Sequence, residues 1–213
     1  AAPGTVDPSR NLIADFRSAG FQFVANAHEL SAARADAPLL GLFAYGNMNV
    51  AYDKVRGRRG TATVTEEFGL PDQPMLDEMA AKALEVLERT PQGFYLMIEG
   101  ASIDKQAHAM DSDRWLDEVV EFDRAVAVAQ AFARKHPDTL VLVTADHETG
   151  GSSIIGASRL TTAELQQRAA NGAGKALRDG VVGTYDNAGF PHYEIQNDGY
   201  PATMDPDHKL LIG

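Results

Sequence analysis

A chain of 213 residues, 44% hydrophobic and 23% charged, has the composition of an ordinary folded protein and enough length to bury a core. Its formal net charge of −11 opposes non-specific nucleic-acid binding, and no apolar stretch is long enough to span a membrane. With no cysteine there are no disulfides or thiolate ligands, so a metal site must use His, Asp and Glu.

The opening Ala1-Ala2-Pro3-Gly4 has neither the basic region nor the apolar core of a signal peptide, so an export signal is expected upstream. Asn11–Ala19 reads as a short helix, Phe21–Val24 as an apolar run, Ala27–Ala35 as a second helix and Leu39–Ala44 as a buried strand. Gly57–Pro74, rich in Gly, Thr and charge, reads as a loop excursion. Met75–Arg89 is a strong helix, with Met75, Leu76, Met79, Ala83, Leu84 and Leu87 on one face. Phe94–Ile98 has strand length and continuous apolarity. Arg114–Lys135 is a long helix with Trp115, Val119, Phe122, Val126 and Ala129 on one stripe. Thr139–Thr144 is the clearest buried strand, and Thr161 with Glu164 has capping-box spacing for another helix. Gly183–Pro206 is irregular, and Lys209–Ile212 begins a last apolar run. The alternation predicts an α/β fold, a mostly parallel sheet with helices on both faces. A chain that stops inside a strand suggests an incomplete domain.

Two segments carry chemistry, and each follows a predicted strand, where ligands bind in open α/β sheets. Phe94–Ile98 runs into Glu99-Gly100-Ala101-Ser102-Ile103-Asp104-Lys105-Gln106-Ala107-His108. Thr139–Thr144 runs into Ala145-Asp146-His147-Glu148-Thr149-Gly150-Gly151. Asp104 and His108, four apart, share a helix face and can ligate one cation, with Glu99 at the strand end serving that cation or a neighbour. Asp146 and His147 are adjacent, and where a strand opens into a loop they can converge on one ion or bridge two. Imidazole with carboxylate suits zinc, whereas a carboxylate in an oxygen-rich site suits magnesium. Either segment alone reads more simply as a surface pair. Two such clusters at two strand ends favour metal.

At these residues the sequence resembles the alkaline phosphatase family. EGASIDKQAH at Glu99–His108 and VTADHETGG at Val143–Gly151 resemble its carboxyl-terminal metal segments, in the family's order. PLLGLFAYGNMNV at Pro38–Val50 and the helix Glu121–His136 extend the likeness. The resemblance implies that Glu99 binds magnesium, that Asp104 and His108 bind the first zinc, and that Asp146 and His147 bind the second. Lys105 resembles the lysine that helps hold phosphate in some bacterial members. The implied reaction is hydrolysis or transfer of phosphate from monoesters through a phosphoserine, with two zinc ions and one magnesium. A periplasmic or secreted parent and a homodimer are also implied.

Five side chains are too few for three cations. The resemblance implies a serine nucleophile in an Asp-Ser-Ala type segment, an early aspartate, an arginine and a late histidine, and none stands in its expected setting. Ser102, Ser152 and Ser153 take structural or solvent roles in this reading; His208 lacks the expected flanking motif, His192 sits in an irregular loop, and His28 and His136 lie on helices. The expectation is a carboxyl-terminal portion of one alkaline-phosphatase-like domain, 1–213, inactive without the remainder of the enzyme. The alternative is a self-sufficient, non-catalytic metal-binding or interaction domain; a phosphomutase or sulfatase-type scaffold fits less well, given the Ile-Asp-Lys-Gln run.

Overall fold

Asn11 caps the first helix, its side chain accepting from the Ala14 amide at 3.1 Å. In the computed structural model, helix α1 spans Leu12–Ser18 and strand β1 spans Gln22–Val24. Asn26 repeats the capping device for α2, Ala27–Ala32, accepting from the Glu29 amide at 2.7 Å. The chain returns as β2, Leu39–Gly41, parallel to β1 with Phe23 opposite Leu40. The predicted parallel α/β arrangement is thus present as a small sheet. The structure describes residues 9–63 and 71–151, with Asp7, Glu66, Gly69, Ala163 and Gln167, and the backbone of Ile154–Ser158 and Lys209–Ile212. The capping pair expected at Thr161 and Glu164 and the irregular stretch Gly183–Pro206 lie outside the described residues.

Contacts divide the chain into two units, Ala1–Lys105 with Arg114–Ala145, and Gln106–Asp113 with Asp146–Gly213. In the first, Val24, Leu30 and Phe43 form a core flanked by Ala33, Leu39, Met48 and Met79. The Phe43 ring lies directly on β2: a Cβ on Gly41 would sit 2.6 Å from it. Helix α3, Ala51–Asp53, continues into a π-helical turn at Lys54–Arg58, which runs into the first residues of the predicted excursion. Helix α4, Leu76–Leu87, begins where Glu78 accepts from the Met75 amide at 2.9 Å. Its Lys82, 8% exposed, reaches back 2.9 Å to the Ala33 carbonyl at the end of α2, where a cation is favoured.

Helices α5, Ala101–His108, and α6, Ser112–Lys135, follow. The apolar stripe predicted on α6 is not its buried line. Asp117, Glu118, Glu121 and Ala125 are buried, while Val119 is 39% exposed. The reason lies in what α6 packs against. The Ala51 amide donates to Glu118 at 2.5 Å and the Leu76 amide to Glu121 at 2.9 Å. Two carboxylates of α6 therefore supply acceptors at the starts of α3 and α4, where unpaired amides concentrate. Lys54 completes the contact, donating to Glu121 at 2.9 Å and to the Pro74 carbonyl at 3.1 Å.

The strands predicted at Phe94–Ile98 and Thr139–Thr144 need correction. Neither segment is in a sheet, and Tyr95, Met97, Leu140 and Leu142 are 72–87% exposed. The period-two pattern survives: Leu96 and Ile98 are half-buried between exposed neighbours, as is Val141. An apolar run becomes a strand only when a neighbour accepts its amides, and no ladder partner stands beside either segment among the described residues. In the second unit, Lys209–Ile212 forms β4, antiparallel to β3 at Ile154–Ser158, a strand the apolar pattern does not predict.

Candidate metal centre

The first segment is built on α6. Phe94 meets the Phe132 ring edge-on, with centroids 5.8 Å apart. Gly100 then brings the chain onto Phe122, whose ring a Cβ there would meet at 3.1 Å. This close approach sets where α5 begins. Glu99 is exposed just before it. Asp104 is half-buried and His108 exposed, one turn apart along the same helix. In the turn after α5 Met110 is left-handed (φ 53°), and the Asp111 amide donates to the Gln106 carbonyl at 3.1 Å.

Lys105 projects from α5 and its ammonium donates to Asn47 Oδ1 at 2.9 Å. Asn47 lies within the Pro38–Val50 segment, and nothing in its sequence setting points to Lys105. The two are 58 residues apart, so no spacing rule pairs them.

The second segment organises itself over a few residues. The His147 amide donates to Asp146 Oδ1 at 3.0 Å, and His147 Nε2 lies 3.3 Å from Asp146 Oδ2. His147 Nδ1 is 3.1 Å from the Glu148 carbonyl and 3.1 Å from Thr149 Oγ1. A carbonyl only accepts, so this contact calls for a proton on Nδ1; in the neutral ring that leaves the lone pair a cation would take on Nε2. Gly150 and Gly151 both have positive φ, which lets the Gly151 amide turn back to Glu148 Oε1 at 2.5 Å. Glu148 and Thr149 are thus supports that the sequence reading did not single out.

This pair fits a cation. Two ligands about 2.0 Å from a tetrahedral zinc stand about 3.3 Å apart, the separation found between Nε2 and Oδ2. An imidazole whose other nitrogen is held by a carbonyl is the usual form of a metal-ligating histidine. Among the described residues, however, no three His, Asp or Glu side chains gather as a metal-holding group. Asp146 and His147 by themselves fall short of the four ligands of a tetrahedral site.

Of the other residues considered, Ser102 is half-buried on α5. His28 is exposed on α2, its amide bonded to Asp72, and His136 follows α6, stacked on Phe132 with centroids 4.1 Å apart. Ser152, Ser153, His192 and His208 lie outside the described residues.

The alkaline phosphatase family model matches residues 1–209. The chain belongs to the alkaline phosphatase family. It is 41% identical over 153 residues to alkaline phosphatase H of Pseudomonas aeruginosa (strain UCBPP-PA14), covering 65% of this chain and 31% of that protein. It is equally 41% identical over 150 residues to streptomycin-6-phosphate phosphatase of Streptomyces griseus, covering 65% and 33%. The chain thus spans about a third of the length of these alkaline phosphatase relatives. Among solved structures, Thermus thermophilus alkaline phosphatase superimposes with a TM-score of 0.59 at 32% identity, over 70% of this chain and 29% of that one. A cold-active alkaline phosphatase from a psychrophilic Shewanella has a TM-score of 0.58 at 24% identity, over 96% and 55%, which supports the fold alone.

Proposed function

We propose that these residues form the carboxyl-terminal metal-binding part of a phosphate-monoester hydrolase, within one alkaline-phosphatase-type domain. The observation carrying this reading is the Asp146–His147 pair, pre-set by the contact of Nδ1 with the Glu148 carbonyl. In the proposal Asp146 and His147 hold the second zinc, Asp104 and His108 contribute to the first, and Glu99 serves magnesium. The bound cations supply Lewis acidity, neutralising charge on the phosphoryl oxygens.

The chain's own residues bind and orient. The carboxylates of Asp104 and Asp146 offer hard, anionic oxygen, and the imidazoles fix direction through a single lone pair. Lys105 places a positive charge where an anionic phosphate is bound and charge-assisted hydrogen bonds are strongest. The net charge of −11 is compatible with a phosphate monoester as substrate where bound cations and Lys105 reverse the local sign. The reaction proceeds through a phosphoserine on a segment outside these residues, in a periplasmic or secreted homodimer.

Elemental analysis tests the metal assignment. The full-length protein is expected to carry zinc and magnesium, with less zinc in Asp146→Ala and Asp104→Ala. Unchanged zinc in both variants would sink the assignment. The 213-residue chain alone is expected to show no phosphomonoesterase activity with both metals supplied; turnover at the level of the full-length protein contradicts it.

A further inference from the structure

We infer that Asn47 is a positioning residue for phosphate binding, acting through Lys105; the inference rests on the phosphate-binding role proposed above for Lys105. The contact itself is the starting point: the Lys105 ammonium donates to Asn47 Oδ1 at 2.9 Å. Both groups are exposed. A surface lysine with a free choice of rotamers gains little from one neutral acceptor, so the contact matters only if that acceptor is itself held still.

Asn47 is held from below. Its loop is pinned by Gln73, which is 2% exposed. The Gln73 amide group donates from Nε2 to the Phe43 carbonyl at 2.9 Å, and its Oε1 accepts from the Asn49 amide at 2.7 Å. One buried side chain therefore grips the loop on both sides of Asn47. The Asn49 side chain adds a bond to the Gly69 carbonyl at 3.3 Å. Phe43, at the loop's base, belongs to the core cluster with Val24 and Leu30. The loop that carries Asn47 is thus tied to the core on both sides through Gln73, and Asn47 meets the Lys105 ammonium from that loop.

The chemistry of the acceptor is equally informative. An ammonium has three donors, and Asn47 takes one, leaving two for an anion. An amide oxygen orients the charge without neutralising it. An aspartate at this position would pair with Lys105 and repel an incoming phosphate. A neutral, rigidly mounted acceptor orders the lysine before the anion arrives, which reduces the freedom lost on binding. The effect should fall on phosphate affinity and KM, with kcat little changed, because the ordering benefits ground state and transition state alike.

The test uses the full-length, metal-loaded protein with Asn47→Ala, Lys105→Ala and the double variant. Inorganic phosphate affinity is read by calorimetry, KM and kcat with a chromogenic phosphate monoester, and folding by the thermal midpoint. Asn47→Ala is expected to weaken phosphate binding and raise KM about threefold to tenfold, the worth of one charge-assisted hydrogen bond. Its thermal midpoint and kcat should stay near wild type. In the Lys105→Ala background, Asn47→Ala should change phosphate affinity less than about twofold. If Lys105→Ala weakens phosphate but Asn47→Ala does not, or if the two effects simply add, the inference is overturned while the function proposed for Lys105 stands. If Lys105→Ala leaves phosphate affinity unchanged, the role proposed for Lys105 fails and takes the inference with it. A wild-type protein without phosphomonoesterase activity rejects the proposed function itself.

Discussion

His147 shows how much a few local contacts decide. Its Nδ1 is engaged by the Glu148 carbonyl and by Thr149 Oγ1, both at 3.1 Å, so tautomer and ring direction are set by its own neighbours in sequence. Supporting groups of this kind govern metal affinity as well as geometry. Replacing Thr149 with Val removes one of them while keeping shape. Thr149→Val in the full-length protein should lower zinc affinity about tenfold, in competition with a chelator, without changing the number of ions bound. Unchanged affinity would show that the carbonyl alone is sufficient.

At the scale of elements, α6 is the organising helix, and it works through carboxylates. Glu118 accepts from the Ala51 amide at 2.5 Å, yet burial first, then the neighbouring charge of Glu121, raises its pKa from 4.5 to about 7. The folded protein then holds a proton that the unfolded chain has released. Glu118 therefore contributes full stability below about 4.5, and that contribution is lost as pH rises toward and through about 7. Glu118→Gln keeps an acceptor oxygen for Ala51 and removes the titration. Its unfolding free energy should vary less than wild type's between these limits, and the variant should gain relative stability above neutrality; parallel pH curves would refute this.

Glu121 plays a different part on the same helix. It faces Lys54, whose side chain is 4% exposed. Glu121→Ala leaves a buried ammonium with the Pro74 carbonyl but without the counter-charge of Glu121, and takes the acceptor from the Leu76 amide. Losing one partner of a buried pair costs about 3–5 kcal/mol, so denaturant unfolding should shift by an amount of that order. A shift under 1 kcal/mol, in the range of exposed pairs, would mean that water replaces the lost contact.

At the scale of the whole molecule, what stands out is an exposed apolar surface among the described residues. Tyr95, Met97, Leu140 and Leu142 all point away from the half-buried side of their extended segments, and each is at least 72% exposed. Exposed apolar groups in such segments bind hydrophobic dyes and promote association. The isolated 213-residue chain should bind an environment-sensitive dye, and Leu140→Thr with Leu142→Thr should reduce that signal. Because both positions are exposed, the pair of changes should alter stability by only about 0.5 kcal/mol each. Dye binding that is indifferent to these substitutions would place the apolar surface elsewhere.

These scales also separate what could be read in the sequence from what could not. The helices at Leu12–Ser18, Ala27–Ala32 and Leu76–Leu87 were legible, within a few residues, because caps and apolar periodicity act over neighbouring positions. So was the family, since motif and order lie along the chain. Phe94–Ile98 and Thr139–Thr144 were legible as extended apolar runs but not as unpaired ones, because pairing depends on a neighbour rather than on the run itself. The buried line of α6 was hidden for a related reason. Asp117, Glu118 and Glu121 read as solvent-facing until distant amides and cations turn them inward. The Lys105–Asn47 contact, across 58 residues, belongs to the same class. The sequence by itself determined most of the local helices and the family, because these rest on short-range propensity and on the kinds and order of side chains present. Only the tertiary structure decided which carboxylates are buried, which strands find partners and what holds the lysine, because those depend on which distant groups share a dielectric and a hydrogen bond.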